Sequence, residues 1–212
     1  MDIVIRPEEE TDFIKVEELT REAFWNLYKP GCDEHYTAHK LRTSSDFIKN
    51  LDFVAENDGH IVGSIMYSKS YVENEEAQRI ETATFGPLCV HPKYQRRGIG
   101  TMLIEHTKDI VIKNGYPAII ILGDPHNYCK HGFKTGKDLN ISTMDGKYPS
   151  GLLVLELKKG VFNDHKWGFK VSDSYEVNME EMELFDKKFP LKNKEYQYSQ
   201  DLFSIMIRSY VE

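Results

Sequence analysis

The sequence predicts a mixed α/β fold in which one β-sheet is flanked by helices. Three features of the 212-residue chain indicate this fold. A short N-terminal strand precedes two helical stretches, and an Asn-Asp-Gly turn then separates two apolar runs of strand length. Further along, a third helical stretch leads into a continuous apolar run of the kind that fills a buried strand. The elements follow one another in the order βααβββαβαββ.

The N-terminal part of the chain is predicted to hold one strand and two helices. The strand covers residues 3–5, and an amphipathic helix covers residues 11–27, where the Lys-Pro-Gly sequence at 29–31 ends it. The apolar side chains that share one face of this helix are Phe13, Val16, Leu19 and Phe24. A second helix is predicted over residues 34–48.

A β-hairpin is predicted next. Its strands cover residues 51–55 and 61–67, and the Asn-Asp-Gly sequence at 57–59 favours the left-handed backbone of a tight turn between them. A further strand is predicted to run from about residue 81 to residue 90.

The last predicted elements are a helix over residues 100–114 and strands over 118–122 and 152–157. We assign residues 1–160 to one domain and residues 161–212 to a C-terminal extension that is rich in charges and aromatic residues. The extension is expected to pack on the core, where it can also wall off a ligand pocket. The alternative is an arm that binds a partner.

Composition and charge argue against several classes of function. Hydrophobic residues make up 40% and charged residues 29% of the chain, which are ordinary values for a globular protein. No apolar stretch has the length of a membrane span and the N-terminus lacks the features of a signal peptide, so no membrane partner is expected. The formal charge of −7 disfavours general nucleic-acid binding. Cys32, Cys89 and Cys129 are widely spaced, which indicates reduced thiols in a cytoplasmic protein.

The most informative segment is Gln-Arg-Arg-Gly-Ile-Gly-Thr at residues 95–101, which follows the apolar run 88–90. Such a segment is typical of a strand followed by a short turn and then by a helix whose first turn contains glycines. The N–H groups of a helix's first turn lack partners and its dipole end is positive, so the segment suits a phosphate or pyrophosphate. A P-loop would need a Lys between Gly100 and Thr101, and a dinucleotide fingerprint would need a third glycine; the segment has neither.

Several motifs in order resemble the GNAT N-acetyltransferases. The Gln-x-x-Gly-x-Gly pattern at 95–100 is similar to the turn with which this family cradles the pyrophosphate of acetyl-CoA. Gly-Pro-Leu-Cys-Val-His-Pro at 86–92 resembles the family's central strand, and residues 128–133 resemble its Tyr-x-x-x-Gly-Phe signature. A Gly-Asp-Pro turn at 123–125 is similar to that of a bacterial subgroup. The resemblance covers roughly residues 1–160.

The resemblance implies a mixed, mostly antiparallel sheet whose central strands splay apart, with acetyl-CoA bound at the gap. The pantetheine arm then bonds to the main chain of the central strand, and the diphosphate lies on the turn. The residues assigned to the cofactor in this way are Leu88, Cys89, Val90, Gln95, Arg96, Arg97, Gly98, Ile99, Gly100 and Thr101. Pro87 lacks a ladder donor, which suits a strand that parts from its neighbour. For Arg96 and Arg97 the alternative is a solvated surface position.

Two residues are predicted to move protons. The resemblance makes Tyr128 the acid that protonates the departing CoA thiolate. It also makes Glu81, near the start of the central strand, a base that acts directly or through water. The alternatives are a core tyrosine and an exposed glutamate at a strand end.

Glu34 and His35 are predicted to contact the acceptor, because they lie in the helical segment that borders the acceptor site in the resembled family. His35 and His39 are four residues apart, a spacing that suits a metal, but no zinc signature surrounds them and no metal is predicted. Cys89 is interpreted as a small strand residue, because direct attack in a ternary complex is the family's usual route.

The sequence therefore predicts a cytoplasmic N-acetyltransferase that moves the acetyl group of acetyl-CoA to a primary amine of a small molecule or peptide. One alternative is a non-catalytic CoA-binding sensor or partner-binding module of the same fold. Another is a nucleotide-binding or phosphotransfer domain, against which the missing P-loop lysine argues. The acceptor and the oligomeric state stay open, a homodimer being one option.

Overall fold

A computed structural model describes residues 1–163 and 165–212. These residues contain nine strands and six α-helices. The strands are β1 (Ile3–Pro7), β2 (Phe53–Asn57), β3 (His60–Asn74), β4 (Arg79–Val90), β5 (Ala118–Leu122), β6 (Lys134–Thr135), β7 (Ile141–Thr143), β8 (Leu152–Glu156) and β9 (Trp167–Lys170). The helices are α1 (Phe13–Phe24), α2 (Glu34–Leu41), α3 (Ile99–Lys113), α4 (Pro125–Tyr128), α5 (Met179–Asp186) and α6 (Tyr198–Ile207).

The nine strands join one mixed sheet. Its main path runs β1-β2-β3-β4-β5-β8-β6, and every pair along this path is antiparallel except β4 and β5. β9 pairs with the end of β3, beyond the part that β2 covers, and β7 pairs with β9 in parallel. The predicted mixed and mostly antiparallel sheet is confirmed.

The sheet opens between its two central strands. In the described residues, the register of β4 and β5 contains the single pair Ala83–Ile119. At the next position, Thr84 Oγ1 donates to the Ile120 carbonyl at 2.7 Å, so a side chain makes the link there. A β-bulge in β4 at residues 86–87 follows at once, and bulges of this kind bend a strand away from its ladder. The predicted splay is present as a crevice between β4 and β5.

The hairpin between β2 and β3 is also confirmed. Asp58 and Gly59 have φ angles of 50° and 75°, the left-handed conformation that a two-residue hairpin turn requires. β3 continues to Asn74, well past the predicted end, because its second half pairs with β4 on one side and β9 on the other.

The second helix is shorter than predicted, because α2 ends at Leu41 instead of continuing to residue 48. Phe47 forms a β-bridge with Ser68, and the Ile48 N–H donates to the Tyr67 carbonyl at 3.0 Å. These two apolar residues thus reach the core from an extended segment that lies along β3.

Helices cover both faces of the sheet. On one face, Leu103 and Ile104 of α3 pack with Tyr67, and on the other face Leu41 of α2 packs with Met66. The two faces are distinguished by the alternation of side chains along β3. Because α3 begins shortly after β4 ends, its N-terminus lies at the crevice.

The chain after residue 160 joins the sheet through β9. Trp167 is 3% exposed and packs with Val72 of β3, while Phe185 of α5 packs with Tyr36 of α2. The predicted domain boundary stays a prediction, although β9 shares the core with the strands that precede it. Among the helices of the described residues, none has the length and apolarity that crossing a bilayer requires.

Replacing Trp167 by Ala is expected to lower the free energy of unfolding by about 3–5 kcal/mol, because it removes a buried ring. The variant also loses the hydrogen bond from Nε1 to the Phe162 carbonyl. Urea unfolding followed by far-UV circular dichroism measures the change. Leu191→Ala is the control, since Leu191 is fully exposed, and should stay within about 0.5 kcal/mol of the parent chain. Equal stability of the two variants would show that β9 lies outside the cooperative core.

Candidate active site

A cavity of about 630 Å³ occupies the crevice between β4 and β5. Its walls come from the α1–α2 region, the second half of β4, the turn into α3, the residues after β5 and the C-terminal segment 161–212. The lining residues include Tyr28, Glu34, Leu88, Arg96, Gly100, Tyr128, Tyr175 and Phe203. One cavity therefore brings together parts of the chain that are far apart in sequence.

The turn into α3 presents backbone donors to this cavity. Arg96 and Gly98 have left-handed backbone, with φ angles of 61° and 85°. The Met102 N–H donates to the Gly98 carbonyl at 2.9 Å, whereas no described residue accepts from the N–H groups of residues 99–101. Free N–H groups at the positive end of a helix dipole form an anion-binding site.

The same turn leaves room for a large anion. A Cβ atom at Gly98 would meet nothing within 4 Å, and one at Gly100 would meet only Val90, at 3.9 Å. Ile99 between them is 1% exposed, so its side chain anchors α3 in the core while the main chain borders the cavity. These observations fit the diphosphate of a coenzyme.

The three polar side chains of the turn have different positions. Gln95 Nε2 donates to the Val90 carbonyl at 3.1 Å and so fastens the turn to the end of β4. Arg96 lines the cavity. The Arg97 guanidinium lies over the Tyr94 ring, 5.5 Å from its centroid, and Arg97 is outside the lining.

The strand residues assigned to the cofactor lie along the cavity. Leu88 and Val90 are partly buried, and Cys89 between them is 3% exposed. Cys89 Sγ is 3.5 Å from Thr20 Oγ1, and burial raises the pKa of this thiol to about 12. A thiol that stays protonated at neutral pH is a poor nucleophile, which agrees with the interpretation of Cys89 as a small strand residue.

Tyr128 is the last residue of α4 and lines the cavity. Its ring packs against Phe85 and Phe133, with centroids 5.6 and 5.9 Å away. Gly123 permits this position, because a Cβ atom there would lie 2.6 Å from the Tyr128 ring. The Gly-Asp-Pro turn therefore has a steric reason for its glycine.

The Tyr128 hydroxyl makes no hydrogen bond to any residue within 1–163 or 165–212. Burial raises the pKa of this phenol, and Tyr28 and Asp124 add to the effect. The phenol is consequently protonated at neutral pH, as a proton donor must be.

Glu81 is not brought to the cavity. It is exposed and lies opposite Tyr71 in the ladder of β3 and β4. The lining of the cavity by β4 starts three residues later, at Thr84, where the strand begins to part from β5. The structure therefore does not place Glu81 beside Tyr128, and its predicted role as base gains no support.

His35 is also absent from the cavity. Its ring is 0% exposed, with Nδ1 3.5 Å from Cys32 Sγ and Nε2 3.0 Å from Asp186 Oδ1 of α5. Burial lowers the pKa of His35 to about 4, so the ring is neutral. A predicted contact with the acceptor does not fit a fully buried ring, and His35 instead joins α2 to α5.

Glu34, the neighbour of His35, does line the cavity. Its Oε2 accepts the Asp33 N–H at 3.1 Å, while the Lys29 ammonium pairs with the Asp33 carboxylate. Desolvation, with a further contribution from the Asp33 charge, raises the pKa of Glu34 to about 7. Glu34 is thus a carboxyl group that exchanges its proton near neutral pH.

The cavity also has an aromatic wall that the sequence did not identify. The Tyr28 and Phe203 rings stack with centroids 4.3 Å apart and planes inclined by 25°. Tyr175 lines the cavity too, and its hydroxyl donates to the Gly86 carbonyl at 3.0 Å. The aromatic richness of residues 161–212 was the only sequence signal, and it does not say which rings meet the cavity.

The acetyltransferase (GNAT) family model matches residues 18–133, more than half of the chain. The chain belongs to this family and is by class an acetyl-CoA-dependent acyltransferase. It is similar to the uncharacterized N-acetyltransferase YhbS of Escherichia coli (strain K12), with 31% identity over 133 residues that cover 62% of this chain and 74% of YhbS. It also shares 28% identity over 147 residues with the probable hydrolase YhcX of Bacillus subtilis (strain 168), but this match covers 61% of this chain and 27% of YhcX.

Two solved structures share the fold. The GNAT family N-acetyltransferase YhbS from Escherichia coli, in complex with CoA, has a TM-score of 0.71 at 22% identity, over 82% of this chain and 92% of that chain. A GNAT family acetyltransferase from Brucella melitensis, in complex with acetyl-CoA, has a TM-score of 0.63 at 23% identity, over 82% of this chain and 98% of that chain. These likenesses confirm the predicted GNAT-like fold.

Cys129 is expected to be the first thiol that iodoacetamide alkylates near pH 7, because it is exposed whereas Cys32 and Cys89 are buried. Peptide mass spectrometry after graded exposure to the reagent measures the order of labelling. Labelling of Cys89 as fast as that of Cys129 would contradict both its burial and its assignment as an unreactive strand residue.

Proposed function

We propose that this chain is an N-acetyltransferase that transfers the acetyl group of acetyl-CoA to a primary amine of a small molecule or peptide by direct attack in a ternary complex. One observation carries the proposal: a single cavity joins the free N–H groups of the first turn of α3 to the Tyr128 hydroxyl. The N–H groups suit a diphosphate, and the phenol suits a leaving thiolate. Residues 1–160 form the proposed catalytic domain, and residues 161–212 wall one side of its cavity.

The residues of the cavity fit acetyl-CoA, which supplies an activated acetyl thioester when bound. The N–H groups of residues 99–101 and the Arg96 guanidinium provide donors and positive charge for the diphosphate. The open edge of β4 at residues 88–90 offers main-chain groups to the amides of the pantetheine arm. Gln95 lines the cavity and fastens the turn to the end of β4, and Arg97, outside the lining, adds charge at longer range.

Tyr128 holds the proton that the sulfur needs. An alkylamine with a pKa of about 10.4 is neutral in roughly one molecule in a thousand at pH 7, so the acceptor must also lose a proton before it attacks. The amine nitrogen then bonds to the acetyl carbon as the bond from that carbon to sulfur breaks. The Tyr128 hydroxyl gives its proton to sulfur, and the resulting phenolate takes a proton from the nitrogen of the new amide. The proton that the ammonium group lost before the attack goes to solvent.

Tyr128→Phe is expected to lower kcat by about 100-fold, because it removes the proton donor while keeping the ring packing. The dissociation constant for CoA should change by less than about 2-fold, because the phenol does not hold the diphosphate. Steady-state release of free thiol with an amine panel, together with calorimetric titration of CoA, gives both values.

Tyr148→Phe is the control for Tyr128→Phe, because Tyr148 lies outside the cavity lining and its variant loses the same single oxygen. It should retain the parent rate. Full activity of Tyr128→Phe would remove Tyr128 from its proposed role.

Gly100→Glu is expected to weaken CoA binding by about 30-fold or more, because it places a side chain and a negative charge where the diphosphate is proposed to lie. The unliganded variant should unfold at the same temperature or slightly higher, since acidic residues stabilise a helix N-terminus. Differential scanning calorimetry and CoA titration measure the two effects.

Met102→Glu is the control for Gly100→Glu. It adds the same charge to the first turn of α3, but Met102 is 40% exposed and outside the cavity lining. Its CoA affinity should fall by less than about 3-fold. Equal losses in the two variants would mean that net charge, and not the shape of the turn, controls binding.

A further inference from the structure

We propose that the acceptor is a cationic primary amine with an apolar body, that Glu34 takes the proton from its ammonium group, and that Tyr28 and Phe203 hold its body. This inference rests on the proposed function, because it names the base and the substrate class of the same cavity. It also moves the base from Glu81, which lies outside the cavity, to the α2 end of the cavity.

Glu34 lines the cavity, and among the described residues its carboxylate has no cation of its own. Lys29 is the basic side chain of the loop that leads to Glu34, and it pairs with Asp33. In the part of the chain that the structure describes, no Lys, Arg or His forms an ion pair with Glu34. The position therefore offers an ammonium group a charge partner that the protein leaves free.

The groups around Glu34 keep its proton exchangeable near neutral pH. The titratable and charged groups at this end of the cavity are Tyr28, Lys29, Cys32, Asp33 and Asp124. Desolvation raises the pKa of Glu34 to about 7, and the Asp33 carboxylate adds to the rise while Lys29 opposes it. A base whose pKa lies near the working pH is the most efficient proton acceptor.

Tyr28 and Phe203 supply an apolar surface beside this carboxylate. Both rings are partly buried, line the cavity and stack on each other at 4.3 Å. Burial raises the pKa of the Tyr28 phenol to about 12, and the Glu34 charge contributes to the rise. An aromatic surface next to a carboxylate favours an ammonium group carried on a hydrocarbon or aromatic body.

The C-terminal segment fixes the loop between α1 and α2, which leads to Glu34. Asn26 in this loop is 5% exposed and has a φ of 61°. Its Oδ1 accepts the N–H groups of Gly31 at 2.8 Å and of Glu195 at 3.1 Å, and its carbonyl accepts from Gln200 Nε2 at 2.9 Å. Residues 195 and 200 thus hold the loop, while Phe203 of the same segment reaches the cavity. The end of the cavity beside Glu34, where the acceptor is proposed to bind, is therefore preorganised by contacts between the loop after α1 and the C-terminal segment.

The proton balance is simple. The Glu34 carboxylate accepts one proton from R–NH3⁺, which leaves R–NH2 with a lone pair for attack, and Glu34 returns this proton to solvent after each turnover. The second nitrogen proton is released when the amide forms and restores the Tyr128 phenol. No oxidant or further reactant is needed.

The first test needs no acetyl transfer. The probe is 2-phenylethylamine, with 2-phenylethanol as its uncharged analogue, and the readout is the carboxyl carbon resonance of glutamate labelled with ¹³C. The parent protein should show one glutamate with a midpoint near pH 7 that is missing in Glu34→Gln. The amine should lower this midpoint, because an ammonium group stabilises the carboxylate, and the alcohol should not. A Glu34 titration midpoint that is the same with and without the amine would overturn the proposal.

The second test separates the candidate bases by their pH profiles. In the parent enzyme, kcat/KM for 2-phenylethylamine should rise through about pH 7 as Glu34 loses its proton. Glu34→Gln should lower kcat/KM by about 100-fold and abolish that limb, with CoA affinity unchanged. Glu18→Gln, on the exposed surface of α1, is the matched control. It should keep the parent kcat/KM and the rise of kcat/KM through about pH 7. The base would be Glu81 if Glu81→Gln lost the rise of kcat/KM near pH 7 while Glu34→Gln kept it.

The third test addresses the aromatic wall. Phe203→Ala should raise KM for 2-phenylethylamine by about 10-fold and leave KM for ethylamine and the CoA affinity near parent values. Leu202→Ala, on the same helix but 51% exposed and outside the lining, should change none of them. Equal KM changes for the two amines would contradict the proposal that the aromatic wall binds the apolar body of the acceptor.

These outcomes are distinguishable from failure of the proposed function. If the parent chain binds CoA but acetylates no amine, the proposed transfer fails, and the resonance titration with 2-phenylethylamine still decides whether Glu34 meets an ammonium group. If transfer occurs and Glu34→Gln behaves like Glu18→Gln, the role of Glu34 fails alone.

Discussion

The separation of β4 from β5 is the constraint on which the rest of the site depends. Neighbouring strands normally satisfy each other's backbone N–H and C=O groups, but among the described residues this ladder has a single register pair, Ala83–Ile119, with Thr84 as a side-chain link beside it. The bulge at residues 86–87 then turns β4 away. The turn into α3 follows β4, and Tyr128 follows β5, so the two strands bring a helix terminus with free N–H groups and the Tyr128 phenol to the same opening.

The resulting cavity is polarised. The turn into α3 offers free N–H groups, a helix dipole and the Arg96 guanidinium, all of which attract negative charge. The α2 end and the turn after β5 offer Glu34 and Asp124, which attract positive charge. The two ends of the cavity therefore favour ligand groups of opposite charge. The formal charge of −7 does not oppose the coenzyme, because donors at contact distance outweigh charges screened by water and salt.

The sequence predicts which residues line the cavity better on the side of the α3 turn and Tyr128 than on the side of α2, for a physical reason. The turn at residues 95–101 and the Tyr128 position depend on local backbone conformation, which glycines and strand-forming residues encode over short stretches. The choice between Glu34 and His35 depends on which side of α2 meets α5, and Asp186 and Phe185 decide that from far along the chain. The position of Glu81 depends on where the sheet opens, and no residue near it signals that point.

The same division explains why family membership identifies the coenzyme but leaves the acceptor open. The family model ends at residue 133, so it includes β4, the turn and Tyr128. Phe203, Gln200 and Glu195 lie beyond it. Phe203 stacks on Tyr28 in the cavity wall, and Gln200 and Glu195 hold the loop that leads to Glu34. Changes in this C-terminal segment can alter the Tyr28 side of the cavity without touching any residue of the turn into α3. The proposed acceptor end thus depends on contacts between distant parts of the chain, whereas the turn into α3 and Tyr128 lie in a contiguous part.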